Sequence, residues 1–294
     1  MSQIKISVVI PTYHRNDLLA KCLDCLDPGT QTLSAEQYEV IVTDDGVKTT
    51  AEEMIRERYP WVKWAMGPCK GSAANRNSGV EYAQGEFIAF TDDDCLPSST
   101  WLSAFSSDIT ADIHVYEGKT TCEAGIDSPL MQAPVNLSGG WLWSCNMMIR
   151  TSLFQELGGF DEGFPYPYME DTEFRERLKK AGFTFPFVEH AVVDHPPRKS
   201  LGGNQLGASQ ESLVYYWRCK ENRKLFKFKL IKSTMGFRVR AILGYPFSRD
   251  SIKAVFSMIE EVFYLIIHVN IWDKKYPYVQ SKVEKIDKPV TDIQ

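Results

Sequence analysis

The sequence predicts an α/β protein with a mostly parallel, Rossmann-like sheet that is flanked by helices, followed by a helical C-terminal extension. Two patterns lead to this fold class. Short apolar runs alternate with helix-length amphipathic segments through the first hundred residues, and such alternation is typical of parallel sheets with crossover helices. After about residue 200 only helical periodicity remains. We therefore expect a sheet-containing domain over residues 1–200 and an extension over residues 201–294.

The predicted elements of the first domain alternate between strand and helix. The first strand, IKISVVIPTY, ends at Pro11, and the first helix takes Asn16 as its N-cap. The second strand, QYEVIVTDDGV, leads to the helix TTAEEMIRERYP, which Thr49 or Thr50 caps. WVKWAMGP is the third strand, GSAANRNSGVEYAQG is a helix closed by Gly85, and EFIAFTDDD is the fourth strand.

Composition excludes disordered and fibrous classes, because 44% of the 294 residues are hydrophobic and 24% are charged. The seven cysteines are odd in number and irregularly spaced, which argues against a disulfide framework. Cys22 and Cys25 lie on the apolar stripe of a predicted helix, so we interpret them as core residues. No secretory signal precedes the first strand, and the expected location is the cytoplasm.

Positive charge is concentrated in one segment. Residues 218–253 contain eleven Lys or Arg and two acids, a net charge of +9, so the rest of the chain sums to −14 when the total is −5. No nucleic-acid-binding signature accompanies this block, and we expect no nucleic-acid partner. After Glu261 only about eleven mostly apolar residues run uninterrupted, too few to span a bilayer. An interfacial helix on an anionic membrane through 218–272, a tail packed on the first domain and an oligomer interface all remain open.

Polar segments follow three of the predicted strands: Pro11 to Arg15, Asp44 to Gly46, and Asp92 to Asp94. In sheets of this kind, ligands bind in the crevice beyond the carboxyl ends of the strands. The three segments are therefore expected to converge on one site.

The residue types in these segments indicate a particular chemistry. Asp92 and Asp94 can address a divalent metal and a sugar hydroxyl together, and carboxylates suit Mg²⁺ or Mn²⁺. A solvated acidic loop is the alternative, while a calcium loop lacks its glycine and glutamate here. Asp44 can accept a hydrogen bond from a base or cap a helix. Arg76 and Asn77 offer a guanidinium fork and an amide to phosphate or base.

Taken together, VVIPTYHR, VIVTDDG, ANRNSGVEYAQGEFIAFTDDDCLPSSTWL, NMMIRTSLFQELGGFDEGF and MEDTEFRERLKKAGF resemble, in order and spacing, the motifs of the family-2 glycosyltransferases. The resemblance runs from about residue 6 to residue 195. It implies the GT-A fold and a metal-dependent, inverting transfer from a nucleotide-diphosphate sugar to a hydroxyl of a glycan, lipid-linked or other cell-envelope acceptor. If the basic segment forms the interfacial helix considered above, the expected cytoplasmic enzyme is peripheral on the inner face of the membrane.

The resemblance assigns roles to individual positions. Pro11, Thr12 and Tyr13, with Arg15 nearby, correspond to the loop that cradles the base, Asp44 to the acid that reads it, and Arg76 and Asn77 to the donor side. Asp92 and Asp94 correspond to the outer acids of the DxD motif, the first toward the ribose and the last on the metal. Asp93 is counted with the donor site and is expected to face solvent or a backbone amide.

The catalytic base is expected at the start of the helix in YMEDTEFRERLKKAG, whose buried stripe contains Phe174 and Leu178. An acid pair there also suits the helix dipole. The resemblance places the pair at the family's ED motif, which implies Asp171 as the base with Glu170 in support. His195, after another apolar strand, is a candidate third metal ligand or a structural histidine.

An acceptor surface is expected at SGGWLWSCN, where Trp141 and Trp143 can stack on a sugar and Asn146 can orient a hydroxyl. Core packing is the alternative for one of the two tryptophans. Two other functions remain open, a sugar-phosphate nucleotidyltransferase and a non-catalytic sugar-nucleotide binding module. UDP is the expected nucleotide by analogy, and the sequence lacks the early glycine-rich loop of nucleotidyltransferases.

Overall fold

The computed structural model of the chain describes residues 4–200, 202–218, 226–246 and 248–279. The strands are β1 (Ile6–Thr12), β2 (Tyr38–Asp44), β3 (Val62–Met66), β4 (Phe87–Phe90), β5 (Leu96–Pro97), β6 (Val115–Thr121), β7 (Met131–Gln132), β8 (Met147–Arg150), β9 (Phe187–Asp194) and β10 (Arg198–Lys199). The helices are α1 (Asn16–Leu26), α2 (Glu52–Arg58), α3 (Ser72–Val80), α4 (Trp101–Asp108), α5 (Thr151–Glu156), α6 (Glu170–Lys180), α7 (Gly203–Ser209), α8 (Glu211–Trp217), α9 (Phe226–Gly244) and α10 (Arg249–Lys275).

Eight strands form one sheet in the order β3-β2-β1-β4-β8-β6-β9-β5. β1 pairs in parallel with β2 and β4, and β2 pairs in parallel with β3, which confirms the predicted parallel half. β8 runs antiparallel to both β4 and β6, while β6 and β9 are parallel. The sheet is therefore mixed beyond β4, as a strand that returns without a crossover helix requires.

Apolar strand residues supply the core on both faces of this sheet. Alternate side chains of β1 point to opposite sides, so Val8 joins one buried cluster with Leu19 and Leu23 of α1, and Val9 joins another with Phe154 and Phe174. β1 and β2 are buried along their whole length, as central strands covered by helices should be.

The helix boundaries correct three predictions. Arg15 occupies the cap position of α1, and Asn16 is its first residue, whose Nδ2 donates to the Thr50 carbonyl at 2.9 Å. Ala51 rather than a threonine precedes α2, and its N–H donates to Asp44 Oδ2 at 2.6 Å. α3 ends at Val80, five residues before the predicted stop at Gly85. The N–H groups that follow, those of residues 81–83, bond to carbonyls three residues back, as in a turn.

The described elements after residue 202 are all helices, and the boundary at residue 200 remains a prediction. α9 and α10 form an antiparallel hairpin: Lys227 Nζ lies 2.8 Å from Asp273 Oδ2 at one end, and Arg238 Nε lies 2.8 Å from the fully buried Glu261 Oε2 near the middle. The predicted apolar stretch was too short. α10 is 27 residues long, and by length and composition alone it is apolar enough to cross a membrane.

The helical extension is fastened to the sheet domain by side-chain contacts. Arg218 Nη2 lies 2.8 Å from Asp161 Oδ2, and the Tyr215 hydroxyl donates to the other oxygen of Asp161 at 3.0 Å. The Ser212 hydroxyl donates to the Tyr166 carbonyl at 3.0 Å. α8 is thereby joined to the segment that leads directly into α6.

Candidate active site

The ends of β1, β2 and β4 bring the predicted polar segments to one edge of the sheet. Thr12 lies beside Asp44 in the register of β1 and β2. The Thr12 hydroxyl donates to Asp93 Oδ2 at 2.7 Å, and Arg15 Nη1 donates to Asp94 Oδ2 at 2.9 Å. Segments separated by about eighty residues in sequence therefore share one site, as the rule for parallel sheets predicts.

The consecutive acids that follow β4 differ in their burial and in the charged side chains that they contact. Burial opposes the charge of Asp92, but Arg76 lies 2.5 Å away and brings the pKa of Asp92 below its usual value. Burial raises the pKa of Asp93 to about 7 against the opposing effects of Arg15 and Thr12. The prediction that Asp93 faces solvent or a backbone amide is wrong, since its side chain is fully buried and contacts the side chains of Arg15, at 2.6 Å, and Thr12.

Asp92, Asp94, Cys95 and His195 form a group whose candidate ligand atoms all lie within 4.8 Å of one another. His195 Nδ1 lies 3.1 Å from the Pro196 carbonyl, which can only accept, so Nδ1 carries the proton. His195 Nε2 then presents a lone pair to Asp94 Oδ1 at 3.5 Å, and this buried oxygen has no hydrogen-bond donor in the described structure. Either a metal ion between these two atoms or a proton on Nε2 would make their contact favourable.

The donor set fits a hard divalent metal. Two carboxylates and one imidazole suit Mn²⁺ or Mg²⁺, the former more readily because it accepts nitrogen. Burial raises the pKa of the Cys95 thiol well above its usual value, and hard divalent metals prefer oxygen ligands to a soft sulfur. Its closeness to the acids was not predicted, since a cysteine after the DxD carries no distinctive spacing.

Arg76 connects the acids after β4 with the acids of α6. Its Nη2 contacts Asp92, and its Nη1 lies 3.3 Å from Glu170 Oε1, while only 4% of the residue is exposed. Burial lowers the pKa of this guanidinium, but Asp92 and Glu170 together raise it above its usual value. Glu170 also accepts from the Ser72 hydroxyl at 3.0 Å. The buried guanidinium of Arg76 therefore pairs with one acid of the predicted donor side, Asp92, and with one acid next to the predicted base, Glu170.

Asp171 begins α6 beside Glu170. The chain enters the helix through Met169, whose φ of +79° is unusual for a residue with a side chain. Burial and the neighbouring Glu170 raise the pKa of Asp171 to about 6, although the N–H of Thr172 and the nearby Arg76 oppose that shift. A carboxylate in this range is suited to general base catalysis near neutral pH.

Two residues assigned to the nucleotide make internal contacts instead of pointing into open space. Asp44 accepts from the N–H of Gly46 at 2.7 Å and from that of Ala51 at 2.6 Å, so each of its oxygens already has a donor. The Asn77 amide donates to the Phe160 carbonyl at 2.9 Å and accepts from the N–H of the same residue at 2.9 Å. Asn77 thus orients the loop before α6.

The other residues of the predicted base-binding loop differ in exposure. Pro11 and Thr12 are buried at the end of β1, whereas 56% of Tyr13 is exposed. The Tyr13 ring lies against the His14 ring, with 4.2 Å between centroids. Tyr13 is therefore the member of the loop with a face free to meet a base.

The residues predicted to form the acceptor surface differ in their exposure to solvent. Trp141 and Trp143 stack with 5.5 Å between ring centroids; Trp141 is 51% exposed, and Trp143 packs against the core. Asn146 is 1% exposed, and its amide donates to the carbonyls of Lys119 and Ala191. The predicted contact between Asn146 and an acceptor hydroxyl is therefore corrected, because the amide is buried and occupied.

Glu117 of β6 shapes the loop that carries Trp141, a role that sequence reasoning missed. Its carboxylate is 1% exposed and accepts from the N–H groups of Gly140 at 2.6 Å and Trp141 at 2.7 Å, from that of Leu142, and from the amide of Asn136 at 2.8 Å. A lone acid on a strand carries no sequence signal for such a cluster. The carboxylate replaces the peptide partners that this turn lacks.

Comparisons with known proteins bear on this site. Residues 7–115 match the family model described as Glycosyl transferase family 2. The chain is 27% identical over 210 residues to the glycosyltransferase AglE of Haloferax volcanii, a match that covers 66% of this chain and 67% of that protein. The next three curated relatives are covered over only 39% to 52% of their length.

Two solved structures share the fold. The mannosyltransferase PcManGT from Pyrobaculum calidifontis, in complex with GDP-Man and Mn²⁺, superimposes with a TM-score of 0.57 at 16% identity, over 92% of this chain and 88% of that one. TarS 1–349 from S. aureus with UDP gives 0.54 at 15% identity, over 97% and 100%. The named relatives favour a glycosyltransferase over a nucleotidyltransferase or a non-catalytic module.

Proposed function

Since the chain belongs to the family-2 glycosyltransferases and has their GT-A fold, we propose that it moves a sugar from a nucleotide-diphosphate sugar to an acceptor hydroxyl with inversion. The observation that supports this reaction best is the position of Arg76. This one guanidinium contacts Asp92 on the donor side and Glu170 beside the candidate base, so the groups that the reaction needs lie around one point.

In the proposed reaction the acceptor oxygen bonds to the anomeric carbon while the bond from that carbon to the diphosphate oxygen breaks. Asp171 takes the proton of the acceptor hydroxyl, and the nucleoside diphosphate leaves with the bonding electrons. With a pKa of about 6, Asp171 is mostly ionised at neutral pH and still basic enough to accept this proton. Glu170 keeps Arg76 in place beside it.

Asp92, Asp94 and His195 would hold a divalent metal, and the bound metal would stabilise negative charge on the leaving diphosphate. Arg15 and Arg198 add positive charge nearby, since Arg198 Nη1 lies 3.6 Å from Asp94 Oδ2. Tyr13 provides a ring face for the base. We propose a UDP-sugar as donor, because TarS binds UDP and UDP-GlcNAc, with a GDP-sugar as the competing outcome.

The acceptor is proposed to be a hydroxyl of a glycan or of a lipid-linked or other cell-envelope molecule, met by the exposed ring of Trp141. Several relatives carry names of this kind, among them poly(ribitol-phosphate) beta-glucosyltransferase. A cytoplasmic location goes with this proposal, because nucleotide sugars are its substrates.

A thermal-shift panel of UDP-, GDP- and dTDP-sugars with Mn²⁺ or Mg²⁺ tests the proposal. A ligand present at 100 times its dissociation constant adds about 2.7 kcal/mol to the free energy of unfolding, which raises the melting temperature measurably. We expect one nucleotide class to do so only with metal, and the same sugar donor to release nucleoside diphosphate on turnover. Absence of both effects for every donor would overturn the proposal.

A further inference from the structure

α10 is apolar on two opposite sides. One side is buried against the neighbouring helices and includes Ala254, Leu265 and Val269. The other side is exposed, and its apolar residues recur at intervals of three and four, as they do on one face of a helix. Its members include Ile252, Phe256, Ile259, Phe263, Ile267 and Ile271, each at least 48% exposed.

α9, the other helix of the hairpin, supplies positive charge. It contains five basic residues and no acidic one. Lys227 and Arg238 are paired with acids of α10, but Lys229, Lys232 and Arg240 are exposed and form no ion pair within the described residues. Phe228 and Leu243, each 68% exposed, lie on the same helix. Three further basic residues of the +9 block, Lys220, Arg223 and Lys224, lie outside the described residues.

We propose that the α9–α10 hairpin docks on an anionic lipid surface, with the exposed face of α10 in the headgroup region and the free basic residues of α9 on the phosphates. Exposed aliphatic and aromatic side chains beside unpaired lysines are the chemistry of interfacial helices. A large exposed apolar face is also costly in water, which marks it as a contact surface.

The hairpin lies on the membrane and does not cross it. A crossing α10 would leave Glu261, fully buried and paired with Arg238, without its partner. It would also break the contact of Lys275 Nζ with Glu211 Oε1, at 2.8 Å, which ties the end of α10 to α8. These buried and partly buried ion pairs hold α10 along the protein.

Docking in this manner would hold the sheet domain and its candidate base at the membrane surface. Tyr168, 42% exposed, precedes Asp171 by three residues. Partial burial raises the pKa of its phenol, the carboxylates of Asp171 and Glu261 raise it further, and Arg238 lowers it. The charges of Asp171 beside the sheet and of Glu261 and Arg238 in the hairpin therefore all act on Tyr168. Delivery of a membrane-linked acceptor rests on the proposed function, whereas docking itself does not.

Flotation of the full chain with vesicles tests the docking. We expect co-flotation with phosphatidylcholine vesicles containing phosphatidylglycerol, and much less with pure phosphatidylcholine or at high salt. Phe256→Asp combined with Phe263→Asp should abolish it, whereas Tyr82→Asp, an exposed aromatic of the sheet domain, should not. Lys229→Glu with Lys232→Glu should weaken partition at least about 25-fold, at about fivefold per charge. Lys21→Glu with Lys48→Glu is the matched control.

Three results would overturn the inference: no co-flotation, equal flotation of the hairpin and control variants, or resistance to carbonate extraction, which means a crossing helix. A dimer in light scattering that the two Phe→Asp changes dissolve would assign the face to a second copy. Melting temperatures with a nucleotide sugar and Mn²⁺ are measured on every variant. Intact donor binding without flotation contradicts docking alone, and flotation without donor binding contradicts the proposed function alone.

Discussion

The carboxylate of Asp171 holds its proton to higher pH than a surface aspartate, because burial and Glu170 raise its pKa to about 6. A base works only when ionised, so turnover should be halved near pH 6, level off about one pH unit higher, and fall about tenfold per pH unit well below pH 6. A pH profile of nucleoside diphosphate release checks this. A profile that stays flat down to pH 4 contradicts the role of Asp171.

Replacing Asp171 by Asn removes the proposed base but keeps the shape of the side chain. We expect a loss of about 10² to 10⁴-fold in turnover with unchanged donor affinity. Asp17→Asn is the matched control, since Asp17 is an exposed acid in the first turn of α1 and shares only the helix-dipole effect. Equal turnover of the Asp171 variant and the wild type would remove this residue from the reaction.

Asp94 offers the one described carboxylate oxygen that faces His195 Nε2 without a donor. Asp94→Asn should weaken Mn²⁺ binding at least tenfold in calorimetry and make donor binding independent of metal, because an amide is a weaker ligand than a carboxylate. Asp112→Asn, at an exposed position, should bind as the wild type does. Unchanged Mn²⁺ affinity of the Asp94 variant would reject the site.

At the scale of single elements, β6 controls the turn that presents Trp141 through Glu117. Glu117→Gln replaces an acceptor of four hydrogen bonds by a group with a donor of its own, so buried N–H groups lose partners. We expect a loss of about 1–3 kcal/mol in the free energy of unfolding. Denaturant titration against Glu123→Gln, an exposed glutamate six residues later, measures it, and equal stability of the two variants would show that the cluster contributes nothing.

The sequence predicts the elements of the parallel half well because each is a local pattern: β1, β2 and β4 are continuous apolar runs, and their ends carry the polar site residues. It does not predict that β8 returns antiparallel, since a four-residue strand such as MMIR finds its partners only through distant contacts. The predicted N-cap residue of α2 is wrong for a similar reason, because the group that binds the helix start is not its immediate neighbour in sequence. Asp44 binds the start of α2 from seven residues away.

The contrast between local patterns, which the sequence predicts, and contacts between distant segments, which it does not, also applies to the candidate site and to α10. Convergence of the strand ends follows from a general rule, but the direction of Asp93 depends on Thr12 and Arg15, which only folding brings near. The predicted apolar run of α10 is too short because it begins only after Glu261, whereas the apolar helix extends to both sides of this residue. In the structure Arg238 neutralises that carboxylate inside the hairpin, so the apolar helix continues past it.

At the scale of the whole molecule, the hairpin depends on this buried pair. Arg238→Ala leaves Glu261 buried without a counter-charge and should lower the free energy of unfolding of the hairpin by about 3 kcal/mol. Hydrogen exchange should then speed up in α9 and α10 while β1 and β2 stay protected. Arg240→Ala, at an exposed position two residues later, is the control. Uniform exchange across the molecule would mean that hairpin and sheet unfold together.

Arg76 has a consequence for anyone who wishes to redesign this enzyme. Its guanidinium is shared between Asp92, which follows a strand of the sheet, and Glu170, which opens α6. A design that replaces the segment containing the start of α6 must therefore keep an acid at position 170. Without it, the buried guanidinium of Arg76 retains only one of its two carboxylate partners. The two halves of the candidate active site are exchangeable as modules only if Arg76 and both of its carboxylates are kept.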